Sequence, residues 1–283
     1  MPHRFAIAAH PQLQDSIEEA RKIAAFLEEQ GAVAEYGLLY DENLRRKVKS
    51  GEFDMLIALG GDGTMLRAGH LCGPSGVPIL GINLGHFGFL TELRENQWQA
   101  VLPRLLAGDF WLENRMMLCA ELWRSDDCMG VWDVLNEVVI SRGQLVRPVH
   151  LTANVDGRFL TTYVADALIA ATPTGSTAYA LAAGGPILPP ELRNILLVPV
   201  APHLSIDRAI VLSEGSTVSI TVHTDHQAVL SVDGQVPVSM ADGDRVDAHI
   251  SDHNVQFIRF QDPGYFYRNL VPHMNQNPSA RNH

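Results

Sequence analysis

Residues 54–64, DMLIALGGDGT, run the apolar side chains Leu56, Ile57, Ala58 and Leu59 directly into two glycines, an aspartate, a third glycine and a threonine. A short apolar run that breaks at glycine and passes at once into a helix-capable segment reads as a buried strand handing over to a helix. The sequence before it has the same texture. RFAIAAH at 4–10 reads as a buried strand, and Asp15–Gln30 as an amphipathic helix with Ile17, Ala20, Ile23, Ala24 and Leu27 at three- and four-residue spacing, closed by Gly31. AVAEYG and VPILGIN add further short strands. Residues 1–98 are therefore expected to form a Rossmann-like α/β domain with a parallel sheet.

From about Phe110 the texture changes to short runs such as LCAELWR, LNEVVISR, VHLTANV, RFLTTYV, TVSITVHT and AVLSVDG, separated by the turn pairs Asp156-Gly157, Asp233-Gly234 and Asp242-Gly243. This spacing favours antiparallel strands, so residues 99–270 are expected to form a sandwich-like β domain, with the end of the chain a candidate to pack back on the first domain. The segment TPTGSTAYALAAGGPILPP interrupts it, and the polar stretch 271–283 is expected to be frayed.

A formal charge of −11, from 21 basic and 32 acidic residues, disfavours a general nucleic-acid or anionic-membrane binder. Any anionic ligand must be held locally. Lys22, Lys47 and Lys49 are the only lysines, which excludes a Walker lysine beyond residue 49. Cys72, Cys119 and Cys128 are odd in number and show no C-x-x-C, arguing against a disulfide framework or a cysteine zinc site and for a reducing cytoplasm. The apolar run Phe5–Ala9 is too short for a signal-peptide core or a membrane span.

Glycines at a strand-to-helix turn let backbone N–H groups approach an anion, and the helix amino terminus adds positive potential. GGDGT matches neither of the two best-known nucleotide fingerprints. A carboxylate there suits phosphoryl transfer, where it orients Mg²⁺ or accepts a proton from an attacking hydroxyl. The alternative is a tight turn in which Asp62 only caps the helix. Asn136 and Glu137, adjacent in an apolar strand, point to opposite faces; they can receive a nucleoside's amino and hydroxyl groups, or Glu137 can lie on an edge in solvent. The hydroxyls of Thr174, Ser176, Thr177 and Tyr179 can meet ribose and phosphate oxygens without carrying charge. Asp233-Gly234 is first of all a hairpin turn, and His223 and His226, three apart in a strand, point to opposite faces and do not make a metal pair.

GGDGT looks like the donor loop shared by NAD kinases, diacylglycerol-type lipid kinases and, more loosely, phosphofructokinases. Together with GINLGHFGFLTEL at 81–93, LNEVVISRG at 135–143 and TPTGSTAYALAAGGPIL at 172–188 it resembles the NAD kinase family in order and spacing over roughly residues 54–270. The resemblance implies transfer of the terminal phosphoryl group of ATP, or of another polyphosphate, to the 2′-hydroxyl of the adenosine ribose of NAD, with Mg²⁺ or another divalent ion. It implies Asp62 as the catalytic group and Gly60, Gly61, Gly63, Thr64 and Arg67 around the donor. For NAD it implies Asp62, Gly63, Phe89, Asn136, Glu137, Arg147, Asp166, Thr177, Ala178, Tyr179, Ala182, His223 and Gln235, with Phe87 left as a core aromatic. Ala167 and Ala182 depart from the family, which usually has glycine and often has serine there. A cytoplasmic homo-oligomer, dimer or tetramer, is also implied, with NAD sites built partly at subunit contacts. The rivals are a lipid kinase, which leaves the Asn-Glu and TPTGSTAY motifs unexplained, and a silent NAD(P) sensor, which has no use for Asp62.

Overall fold

The computed structural model describes residues 3–13, 15–85, 88–203 and 206–274, without the side chains of 271–274. The chain divides into two compact units: residues up to Asn114 together with those from Val255 onward, and Arg115–Asn254.

In the first unit β1 (Arg4–Ala9), α1 (Ser16–Glu29), β2 (Val33–Leu38), α2 (Glu42–Lys49), β3 (Met55–Leu59), α3 (Asp62–Cys72), β4 (Ile79–Asn83), β5 (Leu93–Arg94) and α4 (Trp98–Leu106) follow in chain order. Strands β2, β1, β3 and β4 lie parallel in that spatial order. Phe5 to Ala9 are all fully buried, without alternation, because helices cover both faces of the sheet. On one face Phe5, Ile7, Ile57 and Leu80 meet Ala20, Ile23 and Leu27 of α1 and Trp98, Leu102 and Leu105 of α4. Packing of α3 on β3 and β4 buries Met65, Ala68 and Leu71. The unit extends beyond the expected boundary at residue 98 because the apolar side of α4 belongs to this core. Of the expected α1 stripe, Ile17 alone is exposed. Since β2 and β3 flank β1 on opposite sides, the carboxyl ends of β1 and β3 form a topological switch point, where open parallel sheets leave a crevice.

The chain continues with β6 (Trp111–Arg124), β7 (Asp127–Val134), β8 (Glu137–Arg142), β9 (Val149–Val155), β10 (Arg158–Ala165), β11 (Ala167–Ala171), α5 (Tyr179–Ala182), β12 (Asn194–Val200), β13 (Ile210–Ser213), β14 (Val218–His223), β15 (Ala228–Val232), β16 (Val238–Met240), β17 (Arg245–Arg259) and α6 (Tyr265–Met274). The second unit is the expected antiparallel sandwich. One sheet joins β10, β9, β14 and β17, with β6 pairing both β17 and β7; the other runs β13, β12, β11, β8, β15, β16. Leu118, Leu151, Tyr163 and Ile220 from the first and Val138, Ile140, Leu168 and Leu197 from the second share one core. Asp156 and Gly157, at φ 50° and 74°, make the two-residue turn between β9 and β10 that the sequence leads one to expect.

Strand β17 leaves the second unit and ends in the first, where Phe257 pairs with Ile79. Helix α6 carries helical backbone through Met274, further than a tail frayed from 271 allows. The rest of that tail, 275–283, and Phe87 lie outside the described residues. Among the described residues no helix is long and apolar enough to cross a membrane.

Candidate active site

In the first unit the turn after β3 has Gly61, not Asp62, as the residue preceding α3. Asp62 therefore does not cap its own helix. Its carboxylate accepts the N–H of Phe89 at 2.8 Å and of Leu90 at 3.0 Å. Gly88 makes this approach feasible, because a Cβ there would fall 2.0 Å from Asp62 Oδ1. Three open glycine donors were expected, but Gly60 donates its N–H to Ile82 O, since it still belongs to the ladder with β4. The N–H groups of Gly61, Asp62 and Gly63 have no acceptor among the described residues. They are the donors that a helix start leaves over, and a Cβ at Gly61 or Gly63 would meet nothing within 4 Å. Thr64 is buried, filling the space beside Gly60.

Arg67 is exposed, one turn into α3, with its guanidinium 5.8 Å from the centroid of the Tyr40 ring. Burial and then the Arg67 charge lower the pKa of His10, which follows β1. Phe89, expected against the dinucleotide, has its ring 6.3 Å from that of Phe266 in α6.

Sequence reasoning missed what supports the 88–92 loop. Fully buried Arg259 donates to Leu90 O at 3.1 Å and pairs with Glu113 at 2.9 Å and Glu92 at 3.4 Å. Glu92 also accepts the N–H groups of Phe260 and Gln261. Burial raises the Glu92 pKa against the opposing pull of Arg259 and those N–H groups. The loop that grips Asp62 is thus held through a buried arginine 169 residues from Leu90 in sequence.

In the second unit three separated motifs converge on one bend. Strand β8 starts at Glu137, so Asn136 lies in the bend before it rather than in a continuous strand as expected. The buried Asp233 carboxylate accepts the N–H groups of Leu135, Asn136 and Glu137 at 2.7, 2.7 and 2.9 Å. Asp233-Gly234 is therefore more than a turn. Thr172 closes the other side, donating to Leu135 O while its N–H reaches Asn136 O at 2.8 Å. Gly175 lies so close that a Cβ would sit 2.2 Å from Asn136 O.

The side-chain amide of Asn136 has no partner among the described residues, and neither has buried Glu137 Oε2. The Tyr179 N–H donates to the Glu137 carboxyl, lowering its pKa, but burial first and Asp233 second push it from 4.5 up to about 7. Of the hydroxyls expected to face a ligand, Ser176 is consumed by Pro173 O and Leu188, and Thr174 accepts from Arg115. Thr177 donates to Thr174 O, and Tyr179 is exposed. Ala178 precedes α5, and Ala182 and Gln235 are exposed.

The remaining expected residues lie elsewhere. Asp166 pairs with Arg142 at 2.9 Å, at the far end of β8 from Glu137. At about 3.3 Å per residue the two ends stand roughly 16 Å apart. Register places His223 opposite His150, and Val149 opposite Ala165, so exposed Arg147, Asp166 and His223 share that far end. Ala167, where glycine was the usual residue, sits in regular buried strand without a positive φ.

Residues 13–110 match the ATP-NAD kinase N-terminal domain and residues 135–260 the ATP-NAD kinase C-terminal domain. The chain is 37% identical over 276 residues to NAD kinase of Chloroflexus aurantiacus, covering 98% of this chain and 100% of that one. With NAD kinase of Citrifermentans bemidjiense it shares 43% identity over 215 residues, 75% of each chain. The fold is similar to that of an NAD kinase from Archaeoglobus fulgidus solved in complex with ATP, at TM-score 0.75, 25% identity and 95% and 97% coverage of the two chains. It is also similar to that of yeast NADH kinase complexed with NADH, at TM-score 0.85, 24% identity and 100% and 90% coverage.

Proposed function

The chain belongs to the ATP-NAD kinase family, and from that premise we propose how its own residues carry the reaction. The enzyme transfers the terminal phosphoryl group of ATP to the 2′-hydroxyl of the adenosine ribose of NAD, giving NADP. Asp62 aligns that hydroxyl and takes up its proton as the new O–P bond forms and the β–γ bridging bond of ATP breaks. The N–H groups of Gly61, Asp62 and Gly63 hold donor phosphates, with Arg67 beside them. The observation that carries this reading is the orientation of Asp62: its carboxylate is held by another loop while the donors of its own helix start stay open.

Among the described residues no three metal-ligating side chains gather around Asp62. The hard carboxylate oxygens of Asp62 fit Mg²⁺ brought in on the phosphates of ATP, which Asp62 would help to orient. When bound, Mg²⁺ neutralises charge developing on the phosphoryl oxygens, a service for which this chain has no lysine beyond residue 49.

Asn136, Glu137, Thr177, Ala178, Tyr179, Ala182 and Gln235 hold NAD. Arg147, Asp166 and His223, a strand length away, are assigned to the NAD of a neighbouring subunit in a homo-oligomer, which exposed Leu145 and Val146 beside Arg147 also favour. A monomer by sedimentation at all working concentrations would refute this. The free cysteines and acidic composition accord with a cytoplasmic enzyme without nucleic-acid or membrane partners.

The decisive assay incubates purified protein with NAD, ATP and Mg²⁺ and reads NADP with an NADP-specific dehydrogenase. No NADP despite measurable NAD binding would leave the sensor reading. Gly88→Ala, whose new methyl must displace the Asp62 carboxylate, should cut turnover about tenfold while NAD binding persists. Unchanged turnover would mean that the orientation of Asp62 does not matter.

Glu137 makes binding pH-dependent. Donors from NAD favour its ionised form, so binding should release a proton and tighten as pH rises through about 7. In the free protein the folded state keeps this proton between about 4.5 and 7 while the unfolded state has lost it, so stability falls across that window. Calorimetric titration in two buffers of different ionisation enthalpy, with Glu137→Gln as the flat control, checks the first effect.

A further inference from the structure

We propose that Cys119, Glu121 and His249 in the second unit form a three-ligand site for a divalent cation of the zinc type. Cys119 and Glu121 are two apart on β6 and so share a face, and β17, which carries His249, pairs with β6. One ligand atom from each lies within 4.8 Å of the others, half-buried.

Two of the three donor atoms are already oriented. His249 Nδ1 lies 2.8 Å from Ile250 O. A carbonyl can only accept, so Nδ1 carries the proton and, in the neutral ring, Nε2 is left with its lone pair. Glu121 Oε2 accepts the Trp123 indole N–H at 3.0 Å. That leaves Oε1 facing His249 Nε2 at 3.8 Å, beyond hydrogen-bonding distance. Two acceptors thus face each other with a thiol beside them, an arrangement relieved by a positive ion bonded to all three.

Bond lengths of about 2.0–2.3 Å to N, O and S need only small side-chain adjustment here. Thiolate with imidazole selects zinc-type ions over Mg²⁺, which takes oxygen ligands. Asp133, directly across from Cys119 on β7, is engaged by Ser251 and His253 and leaves the fourth position to water. Burial first, then Glu121, Asp133, Asp252 and Cys128, push the Cys119 thiol up to about 11, so the metal must displace its proton and binding strengthens with pH. The ion would tie β6 to β17 and stabilise the fold by mass action.

The test uses untagged full-length protein, stripped with chelator and dialysed against Zn²⁺ in excess Mg²⁺. Wild type should retain about one Zn²⁺ per chain and unfold at a higher temperature with Zn²⁺ than without. Cys119→Ser and His249→Ala should each weaken binding by about tenfold or more, while Cys128→Ser, at an exposed thiol, binds as wild type. With Co²⁺ substituted for Zn²⁺, a thiolate-to-metal absorption band should appear in wild type and vanish in Cys119→Ser. If that variant fails to fold, His249→Ala and the wild-type cobalt spectrum decide. Equal retention by the ligand variants would place the metal elsewhere, and no retention by wild type would make Glu121–His249 an ordinary ion pair; either overturns the proposal.

Discussion

Asp62→Asn should leave NAD affinity nearly unchanged and lower the rate of NADP formation by ~10² or more, the scale expected when a positioned acid or base is lost. The amide cannot take the proton of the 2′-hydroxyl. It also cannot reproduce both hydrogen bonds, because only its oxygen accepts, so one of the Phe89 and Leu90 N–H groups would face an NH₂. Gly88→Ala separates the two effects by moving the carboxylate without removing it. Single-turnover measurement with NAD in excess reads the chemical step. If Asp62→Asn keeps the wild-type rate, the proton-accepting role is wrong; if it loses rate no more than Gly88→Ala does, orientation of the loop is the larger part.

Asp233→Ala should destabilise the protein by about 3–5 kcal/mol and abolish NAD binding at working concentrations. Three backbone donors, at Leu135, Asn136 and Glu137, would lose one buried acceptor, and an orphaned buried donor costs about 1–3 kcal/mol. Asp233 also sits at φ 48°, a conformation aspartate tolerates and alanine resists by about 1 kcal/mol. Asp233→Asn keeps the conformation and part of the acceptor capacity and should fall between the two. Urea unfolding of the three proteins gives the comparison. A loss under 1 kcal/mol for the alanine variant would show that the bend is held by Thr172 and Gly175 without the carboxylate.

The two layers of the protein were unequally legible. Uninterrupted apolar runs at β1, β3 and β4 announced a sheet covered on both faces, and alternation in VHLTANV and TVSITVHT announced strands with one face in a core. Turn chemistry at Asp156-Gly157 located a hairpin. These signals are local, arising from side-chain periodicity and backbone preference within a few residues. The same locality misread Asp233, where a turn dipeptide concealed an acceptor for donors 96–98 residues away. It left open the alternative of Asp62 as a mere helix cap, because the N–H groups that hold its carboxylate lie 27 and 28 residues on. It gave no sign of Arg259, whose neighbourhood reads as an ordinary strand end.

The sequence by itself determined the alternation of strands and helices, the change to an antiparallel sandwich, and the set of motifs that place this chain among ATP-NAD kinases. Tertiary structure alone decided which groups remain available for chemistry. It consumed the Gly60 N–H and the Ser176 hydroxyl, left the Asn136 amide and Glu137 Oε2 without described partners, and set Asp166 a strand length from Glu137. A hydrogen-bonding group is spent or spared by whatever the fold packs against it, and that neighbour is usually distant in the chain.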